Sequence, residues 1–276
     1  MSLFRFIPVT PHPVLSPFID KMHVFESNGL LPDFDRILIV PNSNLKLTYT
    51  YCNGIIAQIA GKSFLQNESK ISLTGLIDTP VYLDSKENTQ TGTIIIEFNP
   101  LGAYRFFQLS YIEVQNQIVE LEDFLGNKVN ELKTLLLDSN TLNEKLQVLQ
   151  LFLLGQLNAR EADPIYDYCI NRISSSKGLT TIAQLEKETG YSSRWLNKKF
   201  IEHLGTGPKN LCEIVRFKQF YQAYSTCQNL EELKAHIYQY YYDQSHFLRS
   251  FKRFTGTTPS DLRNSQNELA HKHYTT

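Results

Sequence analysis

Short runs of β-branched and aromatic residues fill the first hundred positions. They are RILIV (36–40), KLTYTY (46–51), GIIAQIAG (54–61), KISLTGLI (70–77) and TGTIIIEF (91–98). Asn, Gly, Pro and Asp separate them, at PNSN (41–44), NG (53–54) and NP (99–100). Short strands at this spacing predict a small antiparallel sheet, sandwich or barrel. From Leu101 the apolar period lengthens to three and four. Residues 101–110, 121–137 and 141–157 read as amphipathic helices, with apolar stripes Leu132, Leu135 and Leu136, then Leu142, Leu146, Leu149, Leu153 and Leu157. A sheet followed by helices is an α+β arrangement.

The polar stretch NAREAD (158–163) interrupts the pattern, and Pro164 suits the first position of a new helix. A domain boundary is expected near residue 158. No strand signal follows it. Helices are expected at 164–175, 181–188, 193–203, 208–225, 230–239, 244–254 and 259–266, punctuated by Gly178, Gly190, Gly205 and Gly256.

The rear segment contains itself twice. At an offset of 51, KFIEHLGTGPKNL (199–211) aligns with SFKRFTGTTPSDL (250–262). Phe200, Gly205, Thr206, Pro208 and Leu211 match Phe251, Gly256, Thr257, Pro259 and Leu262, and Leu196 matches Phe247. Upstream, GYSSRWL (190–196) pairs with YYYDQSHF (240–247) if one residue is added in the turn. Each copy reads as helix, short turn, helix, then Gly and Pro. Leu196 and Phe200 should pack on Ile182 and Leu185, and Phe247 and Phe251 on Leu233 and Ile237. The outer faces then carry Arg194, Asn197 and Lys198 in one copy and Gln244, Ser245 and Arg249 in the other, which is the layout of two helix-turn-helix units. Ser192 and Asp243 suit N-caps, which leave backbone N–H groups where a phosphate can sit. A helix over 210–225 spans about 24 Å, enough to carry two reading helices into major grooves about 34 Å apart.

Charge sharpens this division. Residues 1–176 carry 13 Lys and Arg against 19 Asp and Glu, whereas residues 177–263 carry 13 against 8, within a net charge of −1. An acidic front joined to a basic rear points to an anionic partner for the rear. Cys52, Cys169, Cys212 and Cys227 show no CxxC or metal spacing and read as small buried thiols of a reducing compartment. The N-terminus lacks a signal-peptide core, and no apolar run reaches the roughly 18 residues of a membrane span, so a cytoplasmic protein without a membrane partner is expected. The GKS at 61–63 has Ile56 where a phosphate loop needs Gly. The front half holds only His12 and His23, with no HxH or HExxH, and HKH (271–273) lies in the tail. No cofactor, no metal and no enzymatic activity are expected. Phe64 and Tyr82 are expected in the core.

The stretches GYSSRWLNKKFIEHLGTGP (190–208) and YDQSHFLRSFKRFTGTTPSDLR (242–263) resemble the AraC/XylS family of bacterial transcriptional regulators. The second has a polar D-Q-S turn, aromatic residues, F-K-R and then G-x-T-P. The resemblance covers about residues 162–264. It implies a seven-helix DNA-binding module with two helix-turn-helix units behind an effector or dimerisation domain. PNSN (41–44), IIIEFNPLGAYRFFQLS (94–110) and VELEDFLGNKVNELKTLL (119–136) resemble, less closely, an uncharacterised N-terminal domain of some of these regulators. The fold expected is an α+β front domain (1–158, a small antiparallel sheet or barrel plus helices), an all-α DNA-binding domain (159–267) and a tail (268–276).

On the same resemblance, Arg194, Asn197 and Lys198, with Ser193 beside them, fall at base-facing positions, as do Gln244, Ser245, His246 and Arg249 in the second unit. Arg and Lys can donate to guanine O6 and N7, and Asn can pair with adenine N6 and N7. Lys199, Lys252 and Arg253 suit phosphate contacts, which position without specifying. Trp195 suits a helix-packing edge. Two departures stand out: Glu186 and His236 occupy a normally small position, and Tyr240 stands for the second turn glycine. The implied function is a sequence-specific DNA-binding transcriptional regulator. Candidate partners beyond double-stranded DNA are RNA polymerase, a small-molecule effector and a second copy of the chain. Two alternatives stay open: an enzyme acting through Cys52 and tethered to DNA, and an interaction module with a degenerate helix-turn-helix.

Overall fold

The structure is a computed structural model that describes residues 4–28, 37–85, 89–157, 161–226 and 236–264. Ten strands among these residues form two antiparallel sheets. One has the order β1 (Phe4–Pro8), β2 (Ile19–Asn28), β9 (Gln90–Phe98), β4 (Leu45–Cys52), β7 (Ile71–Thr74) and β10 (Ile118–Glu120). The other runs β3 (Ile37–Ile39), β8 (Val81–Ser85), β5 (Ile55–Ile59) and β6 (Lys62–Gln66). Side chains alternate across a strand, and β4 and β9 use both faces. Leu45, Leu47, Tyr49, Ile94, Ile96 and Phe98 join the main core, while Lys46, Thr48, Thr93 and Ile95 line a cavity between the sheets.

Four helices cover the core face: α1 (Ala103–Phe106), α2 (Glu122–Leu125), α3 (Asn127–Asp138) and α4 (Leu142–Gln156). A capping box of Thr141 and Glu144 starts α4, and its Leu146, Leu149 and Leu153 are buried as expected. Three expectations are corrected. The helix over 101–110 is one turn, because Phe107 is extended and its apolar neighbours are buried by tertiary contacts instead. The helix over 121–137 breaks at Gly126, whose φ is 52°. Leu135 is 56% exposed while Leu132 and Leu136 are buried.

The rear half is helical: α5 (Pro164–Ser175), α6 (Ile182–Thr189), α7 (Ser193–Leu204), α8 (Pro208–Thr226), α9 (236–240), α10 (Gln244–Thr255) and α11 (Pro259–Asn264). Asp163 caps α5 and Pro164 takes its first turn. The expected boundary near 158, the start of the helix at 230–239 with Leu233, Cys227 and the tail lie outside the described residues.

One polar cluster is built into the front sheets. Glu97 is fully buried, and its Oε2 accepts from Asn42 Nδ2 (2.7 Å) and Asn44 Nδ2 (3.1 Å). The PNSN segment thus supplies donors to a buried charge, which such a charge requires. Lys46 Nζ stands 3.9 Å from Glu97 Oε1. His23 lies nearby, and burial pushes its imidazole down to about 4, helped by Lys46 and Lys21 and opposed by Glu97. Between pH 6.5 and 4 the unfolded chain takes up this proton and the folded chain does not, so stability falls as pH drops through that window. Urea unfolding across this range should show a loss from His23 on the order of 3 kcal/mol at its acid end, and His23→Gln should flatten the slope relative to the parent.

Candidate nucleic-acid interface

The two helix-turn-helix units share one capping frame. Ser192 Oγ accepts from the Trp195 N–H (3.3 Å), and Asp243 Oδ1 accepts from the His246 N–H (2.7 Å). Gly205 and Gly256 end the reading helices α7 and α10 in the left-handed region, at φ 82° and 75°. The bonds Gly190 N–H to Glu186 O and Tyr241 N–H to Ile237 O close the helices that precede them. Every one of these pairs is 51 residues apart. The register therefore does not slip, which corrects the upstream alignment. The counterpart of the turn glycine Gly190 is Tyr241, not Tyr240, and that of Glu186 is Ile237, not His236.

This correction changes the physics of both turns. Gly190 is left-handed, with φ 75°, whereas Tyr241 is not among the residues with positive φ. Its ring turns inward, edge-on to Phe220 (5.9 Å) and Phe247 (5.4 Å). Tyr240 is buried too. The Glu186 carboxylate accepts the Ser193 N–H at the start of α7. That N–H, expected to be open to a phosphate, is occupied.

The expected apolar stripes are buried. Leu196 and Phe200 pack inside with Leu185, and Phe200 lies edge-on to Tyr166 at 5.0 Å. Phe247 and Phe251 meet Phe220 and Phe217 of α8 at 4.8 and 5.9 Å. On the opposite faces Ser193, Arg194, Asn197, Lys198, Gln244, Ser245, Arg249 and Lys252 are exposed. His246 is half-buried, with its ring against Tyr241 at 5.4 Å. Trp195 stacks on Tyr191 at 4.1 Å, a packing role at the helix edge.

Two of the expected phosphate contacts are already engaged. Lys199 Nζ is 3.0 Å from Asp163 Oδ2 and lies over the Trp195 ring. Arg253 is bound by Asp78 Oδ2 (2.9 Å), Glu213 Oε2 (2.7 Å) and Asn210 Oδ1 (2.6 Å). Asp78 belongs to the front domain. So does Tyr82, expected in the core, which is half-buried and donates to Thr255 O (3.4 Å).

The front cavity lies between the two sheets and opens in part to solvent. Ile55, Ile59, Ile77, Val81 and Ile118 give it apolar walls, with Lys46, Asn42, Asn44 and Gln66 among its polar groups. Phe64 packs with Ala57 and Ile59. Burial, and then Glu68, raise the Cys52 thiol, so the neighbourhood opposes the thiolate that a nucleophile needs. Among the described residues no His, Cys, Asp and Glu group could hold a metal, and no helix is long and apolar enough to cross a membrane.

Residues 185–265 match the family model described as a helix-turn-helix domain. No curated protein matches. Solved structures similar to the chain include ToxT from Vibrio cholerae at 15% identity, covering 89% of this chain and 97% of that one with a TM-score of 0.47. They also include unsaturated fatty acid bound ToxT from the same organism, at 14% identity, 90% and 96% coverage and a TM-score of 0.48. The Cnp3 cupin domain of Schizosaccharomyces pombe covers 36% of this chain and 66% of that one, at 9% identity and a TM-score of 0.29.

The two turns should respond differently to substitution. A Cβ at Gly190 meets nothing within 4 Å, so Gly190→Ala should cost only the backbone strain of its positive φ, about 1 kcal/mol. Tyr241→Ala should cost about 3–5 kcal/mol by emptying an aromatic core site. Urea midpoints of the two variants check the ranking.

Proposed function

We propose that the chain, whose rear domain is a helix-turn-helix domain of the AraC type, is a sequence-specific transcriptional regulator that reads two major-groove segments of double-stranded DNA. The observation that carries this reading is the capping frame repeated at an offset of 51, with an exposed polar face on each second helix. Arg194, Asn197 and Lys198 supply donors for purine edges in one unit, and Gln244, Ser245 and Arg249 do so in the other. Lys252 faces the phosphates. The 19 residues of α8 span about 28 Å and separate the units on a scale that suits neighbouring grooves.

Within this reading residues 1–158 are a non-enzymatic regulatory domain and 159–267 the DNA-binding domain. The cavity between the sheets is the site for a small effector with a largely apolar body, its polar end toward Lys46, Asn42 and Asn44.

Duplex selection from random sequence, followed by salt titration on the selected site, tests the proposal. Log affinity should fall steeply with log salt. Lys252→Ala should weaken binding to all sequences and reduce the slope by about 1. Arg194→Ala should cost about 1–3 kcal/mol on the selected site and relax preference at one base pair. Affinity insensitive to salt and to Arg194→Ala would reject the proposal.

A further inference from the structure

We propose that Asp78 competes with a DNA phosphate for Arg253, so that the front domain holds the second reading helix in a docked state of lower DNA affinity. This rests on the DNA-binding reading above. A guanidinium binds carboxylate and phosphate through the same fork of donors. Here both terminal nitrogens are engaged: Nη2 reaches Asp78 Oδ2 at 2.9 Å and Nη1 reaches Glu213 Oε2 at 2.7 Å. A phosphate approaching Arg253 therefore meets two carboxylates that already share its charge. A phosphate that takes the Nη2 donor held by Asp78 displaces Asp78 from it.

Asp78 is held in place for this contact. Its side chain is 14% exposed. Oδ1 accepts from Asn116 Nδ2 (2.7 Å), the Asp78 N–H donates to Asn116 Oδ1 (3.0 Å), and Oδ2 also accepts from Asn210 Nδ2 (2.9 Å). The neighbouring residues extend the grip. Tyr82 donates to Thr255 O, and a Cβ on Gly256 would sit 2.6 Å from the Tyr82 hydroxyl and 3.3 Å from Pro80. The contact joins residues 78–82 on one side to the end of α10 and Asn210 of α8 on the other.

The same segment is the cavity wall. Ile77 and Val81 line the cavity, while Asp78 and Tyr82 face the rear domain. An occupant that displaces Ile77 or Val81 displaces Asp78 with them, and linkage makes the coupling reciprocal: removal of Arg253 by DNA changes the cavity.

Duplex binding by the full-length parent, D78N, R253Q and the D78N/R253Q double variant, each across a salt series, tests this. D78N is expected to bind about tenfold tighter than the parent, with a salt slope steeper by about 0.9 for the added phosphate contact. In the R253Q background the D78N gain should vanish. Tyr82→Phe, which removes only the hydroxyl contact to Thr255, should shift affinity in the same direction by less, and it serves if D78N does not fold. A parent that binds DNA as tightly and with the same slope as D78N and Tyr82→Phe overturns the competition alone. A D78N gain that persists with R253Q assigns the effect to bulk charge and also overturns it. No duplex binding by the parent and D78N at low salt removes the DNA-binding reading itself, and the competition with it.

Discussion

Tyr104 joins the two halves of the molecule, and the placement of the first reading helix depends on its packing. It sits on the single turn of α1, with its ring edge-on to Tyr166 at 5.3 Å and stacked on His203 at 4.6 Å. Its hydroxyl donates to Asp167 Oδ1 (2.7 Å), and the Tyr166 hydroxyl donates back to Pro100 O (2.9 Å). One hydrophobic core therefore runs from the front sheet through α5 into α7. Aromatic pairs of this kind contribute about 0.5–1.5 kcal/mol each beyond their buried area. Asp163 completes the junction. Burial pushes its carboxyl up, but the Tyr166 N–H, Lys199 and His203 outweigh that and hold it below the usual carboxylate range. The residue that caps α5 thus also fixes Lys199 on the first reader.

The second contact between the domains repeats the logic of the first. Both reading helices end in a left-handed glycine, and both glycines touch the front domain. A Cβ on Gly205 would lie 2.3 Å from Tyr111 O, and one on Gly256 would meet Tyr82. Each glycine satisfies two constraints at once, a positive φ and a close approach. The front domain therefore grips equivalent points of the two repeats. Their relative placement is the quantity that spacing along a duplex measures.

Local rules made the rear domain legible. Ser192, Asp243, Gly205, Gly256 and Pro164 act on the backbone within their own turn, so sequence alone places them. The strands rich in Ile, Val, Thr and Tyr were equally visible. The strands β1, β2, β6, β8 and β10 were not among those expected. Charged residues interrupt the first two, and Arg5 and Glu26 pair across the strands, a compensation that only pairing reveals. The register of the second turn misled because a glycine signal has no fixed equivalent once another φ is adopted. Tyr241 meets the same position by burying a ring. Neither the cavity nor the Asp78–Arg253 contact could be read from the chain, since the latter joins residues 175 positions apart.

The electrostatics set how firmly the docked state is held. Arg253 is 40% exposed and Lys199 29% exposed. Ion pairs that solvent reaches contribute about 0–1 kcal/mol each. Exchanging such a carboxylate for a phosphate of similar geometry is close to balanced, and small changes in position decide the outcome. The basic rear segment thus presents Arg194, Lys198, Arg249 and Lys252 outward while two further cations are engaged by the chain's own carboxylates. The partial burial of the Asp78–Arg253 contact, on top of a shared aromatic core, suits an interface that stays assembled while the charge at its edge changes hands.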